Sequence, residues 1–479
     1  MDAILYFDTE DSISPPEAGC DDIVLWLAQL LSRHGIRGSF HVIGDKARTL
    51  VQRGRHDVIA AVRRHDVSSH FNHGSVHPMT VERVSALDWH EGVRVAREME
   101  EPGFAAIQSV LGRCAALTRH GSSYAPQIVR AAGLCGKLYH GVPFALPATS
   151  VFWFCGTLCT SQVGLLATED GRPGIAKFEE DLFADPPAFE ARLAQFLIAL
   201  QSVAEHRRFL ALFGCHPLRL CLTRFCDNYV AGVNARTLVP PPLRSTQERQ
   251  VVREQFARFI AALASAPGVR FIGLDGVRQR YAHTPDVIPA DHLIRYSRLA
   301  LDSDEVPLDD CFSPAELLVG LARAVLSHAT TGRIPATVPA PRVIGPESLP
   351  PSSLAVATGQ WDRAAVCTLA QALCDSLPGT DMLPSALGLD GQPLAPASML
   401  SLLAQAAEHV WMGRVNWTIQ PSPRQQAPAI AQRAQQRARD LQSWRILHPD
   451  TRFDRIAEFT RCQTWSLKPA STRSEAVAV

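Results

Sequence analysis

From Met1 to about Tyr281, short apolar runs of strand length alternate with segments whose apolar residues recur every three or four positions. Residues 3–7 form the first run. Residues 21–34 follow, with Ile23, Leu27, Leu30 and Leu31 on one helical face behind Asp21 and Asp22 as candidate caps. The alternation returns at residues 38–43, 57–65, 66–69, 117–118 and 126–132, the last reading as a helix stopped by Gly133. Helical patterns over 187–206 and 246–265 then feed strand-like runs at 209–213 and 269–272. Repeated βα alternation predicts an α/β fold built on a mainly parallel sheet, open or closed as a barrel. In either architecture the polar residues just beyond strand C-termini share one face, where chemistry is expected.

After Tyr281 the texture changes. Pro285 and Pro289 open a connector, and Ala/Leu-rich helical patterns follow at 313–328, with Ser313 as a candidate cap, and at 364–377, 397–410 and 429–445. Proline-rich stretches such as 334–351 separate them. The expected organisation is therefore a barrel-like domain over 1–284 and a mostly helical accessory domain over 285–479. The second carries no histidine or cysteine cluster and no glycine-rich phosphate loop, so no second active site is expected there; residues 471–479 read as a frayed tail.

Composition narrows the class. A chain of 479 residues exceeds what one core usually supports, and 46% hydrophobic against 20% charged residues points to a globular protein. Equal numbers of basic and acidic residues, 47 each, argue against a general nucleic-acid binder. No basic region, long apolar segment or small-residue cleavage site precedes the first polar cluster, so no secretory signal is expected. The helix-like apolar stretch 189–204 is broken by Arg192, Gln195 and Gln201 and is too short for a bilayer. The expectation is a cytoplasmic chain without membrane contact, whose twelve scattered cysteines, lacking any CxxC pair, are reduced apolar residues.

Several polar clusters follow the apolar runs. Asp8, Glu10 and Asp11 come directly after the first strand, an arrangement in which one carboxylate binds a metal while another takes a proton from bound water. A loop that merely turns and caps a helix would look the same. His70, His73 and His77 lie together after the strand at 66–69, and two histidines with one carboxylate leave positions open for water and substrate. Arg119 ends another strand and is suited to orienting a catalytic carboxylate. His216 follows the strand at 209–213 and precedes Pro217, where it suits a general acid. Trp153 lies in an aromatic run that either walls a sugar pocket or belongs to the core.

In order and spacing these clusters resemble the motifs of the polysaccharide deacetylase family, the NodB-homology or carbohydrate esterase family 4 hydrolases, over about residues 1–282. Phe7-Asp8-Thr9-Glu10-Asp11 resembles the first motif, with Asp8 as base and Glu10 or Asp11 as metal ligand. His70 and His77-Pro78 resemble the start and end of the second, metal-binding motif, with His73 as an alternative ligand. Arg119-His120-Gly121-Ser122-Ser123-Tyr124 resembles the arginine motif, Trp153 the tryptophan motif and His216 the final histidine motif. The FDTED sequence and Cys215-His216-Pro217 are closer to a divergent intracellular branch that includes allantoinase-like hydrolases. The resemblance implies a distorted (β/α) barrel of the NodB type and a divalent metal, zinc first, held by Glu10, Asp11, His70 and His77. It further implies catalysis by Asp8, Arg119 and His216, and substrate contacts from Trp153 and Tyr124. The implied activity is removal of an acyl group from an N-acetylated sugar. Rival readings are a hydrolase of small cyclic or linear amides, with or without a metal, and a glycan-binding barrel without turnover. The accessory domain is assigned to substrate presentation or homo-oligomer formation.

Overall fold

The computed structural model describes residues 1–146, 149–161, 178, 180–224, 241–350, 359–389, 392–422, 425–443 and 447–472. Chain contacts divide the described residues into two compact units. The first comprises those within Met1–Val151, Thr157–Arg280 and Asp440–Phe453. The second comprises those within Phe152–Gly156, Tyr281–Arg439 and Asp454–Val479.

In the first unit β1 (Asp2–Thr9) leads through α1 (Cys20–Arg33) to β2 (Ser39–Val42), then through α2 (Gly44–Gln52) and α3 (His56–Val62) to β3 (Asp66–Ser69). α4 (Thr80–Val84) and α5 (Trp89–Leu111) precede β4 (Ala116–Thr118), and α6 (Pro126–Leu134) precedes β5 (Leu138–Val142). After β6 (Val151–Phe154), which from Phe152 on belongs to the second unit, the first unit resumes with β7 (Thr157–Ser161); α7 (Pro186–His206) then leads to β8 (Phe209–Cys215) and α8 (Thr246–Ala264) to β9 (Arg270–Phe271). The unit is α/β, a sheet of the distorted (β/α)-barrel kind. Its strands run β7-β5-β4-β3-β2-β1-β8, every pairing parallel, with β9 beside the start of β1.

β1 is buried along its whole length and lies between β2 and β8. The chain steps outward from β1 through β2 to β5 and returns on the other side of β1 as β8, so strand order reverses at β1. That reversal opens a crevice outside the carboxyl ends of β1 and its neighbours.

The sequence periodicity has direct counterparts here. α1 buries Ile23, Leu27, Leu30 and Leu31, but Gly19 and no side chain stands at its N-cap. Asp21 instead meets Lys46, which is fully buried, and Arg53 at 2.9 Å. α6 does not stop at Gly133; it runs through that residue to Leu134, because a Cβ at Gly133 would come within 2.1 Å of Thr157 Oγ1 and the bare backbone is needed for packing. α5, 23 residues long, carries Gly92, Pro102 and Gly103 in its interior, which hides its period from a sequence reading.

The second unit contains the helices Ala290–Leu301, Pro314–Thr331, Arg363–Ser376, Pro396–Trp411 and Ile430–Asp440, with short two-stranded pairings between them. Ser313 caps Pro314–Thr331 through a reciprocal bond with Glu316, a device worth about 1 kcal/mol. Leu317, Leu318, Leu321, Leu400 and Leu403 lie at the centre of its core, where each is fully buried. The helix expected over 429–445 stops at Asp440 and passes into a single tighter turn at Leu441–Ser443; residues 444–445 and most of the expected tail, residues 473–479, lie outside the described residues. Among the described residues no helix is long and apolar enough to cross a membrane.

Candidate metal centre

Polar side chains gather where the strand order reverses. Asp8 lies near the end of β1 and Glu10 directly after it; His41 is in β2, His70 follows β3, His120 follows β4, and His216 follows β8. Parallel register alone brings them level, since Asp8 pairs with His41 and His41 with Ser68.

His70 fixes the geometry. Thr118 Oγ1 donates to the Ser69 carbonyl at 2.9 Å, so its oxygen is left to accept from His70 Nδ1 at 2.8 Å. His70 therefore carries its proton on Nδ1 and turns the Nε2 lone pair towards Asp8 Oδ2 at 3.8 Å and Glu10 Oε2 at 3.9 Å. Burial drives the imidazole pKa down to about 3, despite Asp8 and Glu10, so the ring is neutral. A lone pair facing carboxylates across such distances is unfavourable without a cation beside it, and ligand atoms around a zinc-sized ion lie roughly 3–4 Å apart. The donor chemistry thus fits a divalent metal.

Two groups of donors could hold an ion: Asp8 with His41 and His70, and Glu10 with His70 and His120. His41 Nδ1 lies 3.0 Å from Asp8 Oδ1, and its buried Nε2 has no hydrogen-bond partner among the described residues. His120 Nε2 lies 2.6 Å from Glu10 Oε2. Burial works to raise both carboxyl pKa values. Asp8 is nevertheless held well below the usual carboxylate range by His70, His41 and His216, and Glu10 is held at about 2, chiefly by His120. Both are ionised at neutral pH.

His216 faces the same space from β8. Its Nε2 lies 3.7 Å from Asp8 Oδ2 and 3.9 Å from Glu10 Oε1, while Nδ1 is 2.7 Å from Glu180 Oε1. Burial works to lower the His216 pKa, but Glu180, then Glu10 and Asp8, outweigh it and raise the value, favouring the imidazolium. At 17% side-chain exposure His216 is more open than His41, His70, His120, Asp8 or Glu10, which places it on the solvent side of the cluster.

The structure thus brings together Asp8, Glu10, His70 and His216 among the residues singled out in the sequence. Asp11 stands apart: its Oδ1 accepts from the Ser14 N–H at 3.1 Å, a turn bond, and it belongs to neither donor group. His77 faces Glu82, with Nδ1 2.8 Å from Oε1, and His73 faces Asp45 at 2.9 Å. The chain turns between His70 and His77 through Phe71, whose positive φ of 69° is costly for a bulky residue. Arg119 is half-buried; burial lowers its pKa, while Tyr139, Tyr6, Asp8 and Tyr124 act to raise it. Tyr124 is itself buried, and its backbone turns at Ser122. Trp153 falls in the second unit, where its strand pairs antiparallel with Lys468–Pro469 and its buried Nε1 has no hydrogen-bond partner among the described residues.

Three participants lay outside the sequence-derived site. His41 is a polar residue within the apolar run Phe40-His41-Val42, and that interruption is a readable signal. His120 was visible beside Arg119. Glu180 gave none, because its role depends on how its segment meets β8.

No protein-family model matches the sequence, and no curated protein matches it. Among solved structures, the chain is similar to a Mycobacterium smegmatis protein described provisionally as a polysaccharide deacetylase. Identity is 13% and the TM-score 0.35, over 58% of this chain and 88% of that one. It is also similar to a family 4 acetyl xylan esterase from Clostridium thermocellum in complex with a cobalt ion (14%, TM-score 0.27, 58% and 90%). A third likeness is to a 4-alpha-glucanotransferase from Thermococcus litoralis (8%, TM-score 0.37), of which the chain covers 39% while 57% of its own length is matched. Likenesses at this level carry no chemistry across; that has to come from the side chains.

Proposed function

We propose that this chain is a divalent-metal-dependent hydrolase that removes the acyl group of an N-acetylated sugar, cleaving a non-peptide carbon–nitrogen bond. The observation that supports it most is the aim of His70, whose Nε2 lone pair is turned by Thr118 onto two ionised carboxylates. Asp8, His41 and His70, from three adjacent strands, would hold the ion. Imidazole and carboxylate donors suit zinc, and such an ion supplies Lewis-acid polarisation of the substrate carbonyl and a more acidic bound water. Glu10, ionised and held by His120, takes a proton from the attacking water. His216, whose pKa Glu180 raises, hands a proton from Nε2 to the departing amine. Arg119 contributes a fixed positive charge near Asp8. The sugar substrate rests on the motif order in the sequence.

The test is acetate release from N-acetylglucosamine oligomers by the purified, zinc-loaded protein, alongside Glu180→Gln and His216→Ala. The expectation is a loss of about 10²-fold or more in kcat for each variant, with bound metal unchanged. Full activity after chelation would shift the reading to a metal-free amide hydrolase. Sugar binding without any turnover would shift it to a binding module.

A further inference from the structure

We propose that the centre is dinuclear, with a second cation position at Glu10 and His120 beside the one at Asp8, His41 and His70. This inference rests on the proposed metal-dependent reading of the same site.

One catalytic ion usually takes three protein ligands and leaves a position for water. The cluster offers more: two carboxylates and the imidazoles of His41, His70 and His120, before His216 is counted. These donors fall into two sets that overlap at His70 rather than into one set. His70 Nε2 lies 3.8 Å from Asp8 Oδ2 and 3.9 Å from Glu10 Oε2, and the sets share no other residue. One lone pair can serve only one ion, so the two sets describe neighbouring positions, and paired ions in hydrolytic centres lie about 3.5–4 Å apart.

At the second position Glu10 Oε2 and His120 Nε2 share a hydrogen bond of 2.6 Å, which an ion would replace by spreading the two atoms, and Ser75 Oγ lies 3.5 Å from that nitrogen. Glu10 Oε1 points elsewhere, 3.9 Å from His216 Nε2. The glutamate can therefore hold an ion through one oxygen and keep the other for proton transfer. Neither His41 nor His120 is needed by the alternative, a single ion on His70 and the two carboxylates, in which both would serve only as hydrogen-bond partners.

The test is metal stoichiometry of the full chain, stripped by chelator and reloaded with Mn²⁺, with equivalents counted by mass spectrometry and the paramagnetic spectrum recorded. Two equivalents with an exchange-coupled spectrum in the parent, falling to one uncoupled equivalent in His120→Ala, is the expected result. One equivalent in the parent overturns the second position and leaves the metal-dependent hydrolase standing; none overturns both. Two equivalents that survive in His120→Ala place the second ion elsewhere and overturn the assignment. Glu10→Gln, nearly isosteric, repeats the measurement should His120→Ala fail to fold, and the parent's count answers the main question in any case.

Discussion

His70 and His77 are close in sequence, yet the structure gives them different surroundings: one faces two carboxylates, the other Glu82. His70→Ala should therefore abolish metal retention, while His77→Ala should keep the parent's metal content after gel filtration. Another buried residue sets a pH dependence of folding. Glu100 accepts from the Asn72 N–H at 2.8 Å and from the Thr80 hydroxyl, and burial, opposed by those bonds, raises its pKa to about 7. A carboxyl group whose pKa is raised in the folded state binds more protons there than in the unfolded chain. Its contribution is complete below about pH 4.5 and is lost as pH climbs to 7 and beyond. At roughly 1.4 kcal/mol per unit, a few kcal/mol are at stake. Glu100→Gln should flatten this slope: urea midpoints of parent and variant should be similar at pH 5, and the variant's should be higher at pH 8.

Elements explain why some of these residues were legible and others not. Strand-length apolar runs ending in Asp8, His70 and His216 can be read directly, because a parallel sheet puts strand C-termini on one face. Spacing alone does not decide His77, which faces Glu82 and belongs to neither donor group; it follows a turn at Phe71 that no local pattern encodes. His41 resembles a core residue in a four-residue strand; only its pairing with Asp8 across β1 and β2 gives it a role. Glu180 and α5 are tertiary facts. α5 in turn holds the His70 turn in place: a Cβ at Gly103 would stand 2.9 Å from both Asn72 Cα and Cβ, and one at Gly44 would stand 2.9 Å from the Asn72 carbonyl. Gly103→Ala should push that turn outward, cost about 1–3 kcal/mol, and weaken metal binding as well. A urea titration and a metal competition assay on the same variant check both effects.

At the scale of the whole molecule, each unit has its own core and its own points of failure. In the second, Lys468 Nζ lies 2.7 Å from Glu316 Oε1 in a buried pair, and Glu316 also closes the cap at Ser313. Lys468→Met would leave that carboxylate buried without its cation, at a cost of about 3–5 kcal/mol. Calorimetry should show a lowered unfolding transition, with metal content at the first unit unchanged. In that first unit, the return of β8 to the far side of β1 has a temporal consequence. Asp8, His41 and His70 belong to the earliest strands made, whereas His216 arrives only with the last long strand of the sheet. During synthesis all the donors of the proposed cation site are therefore made long before the proposed proton donor.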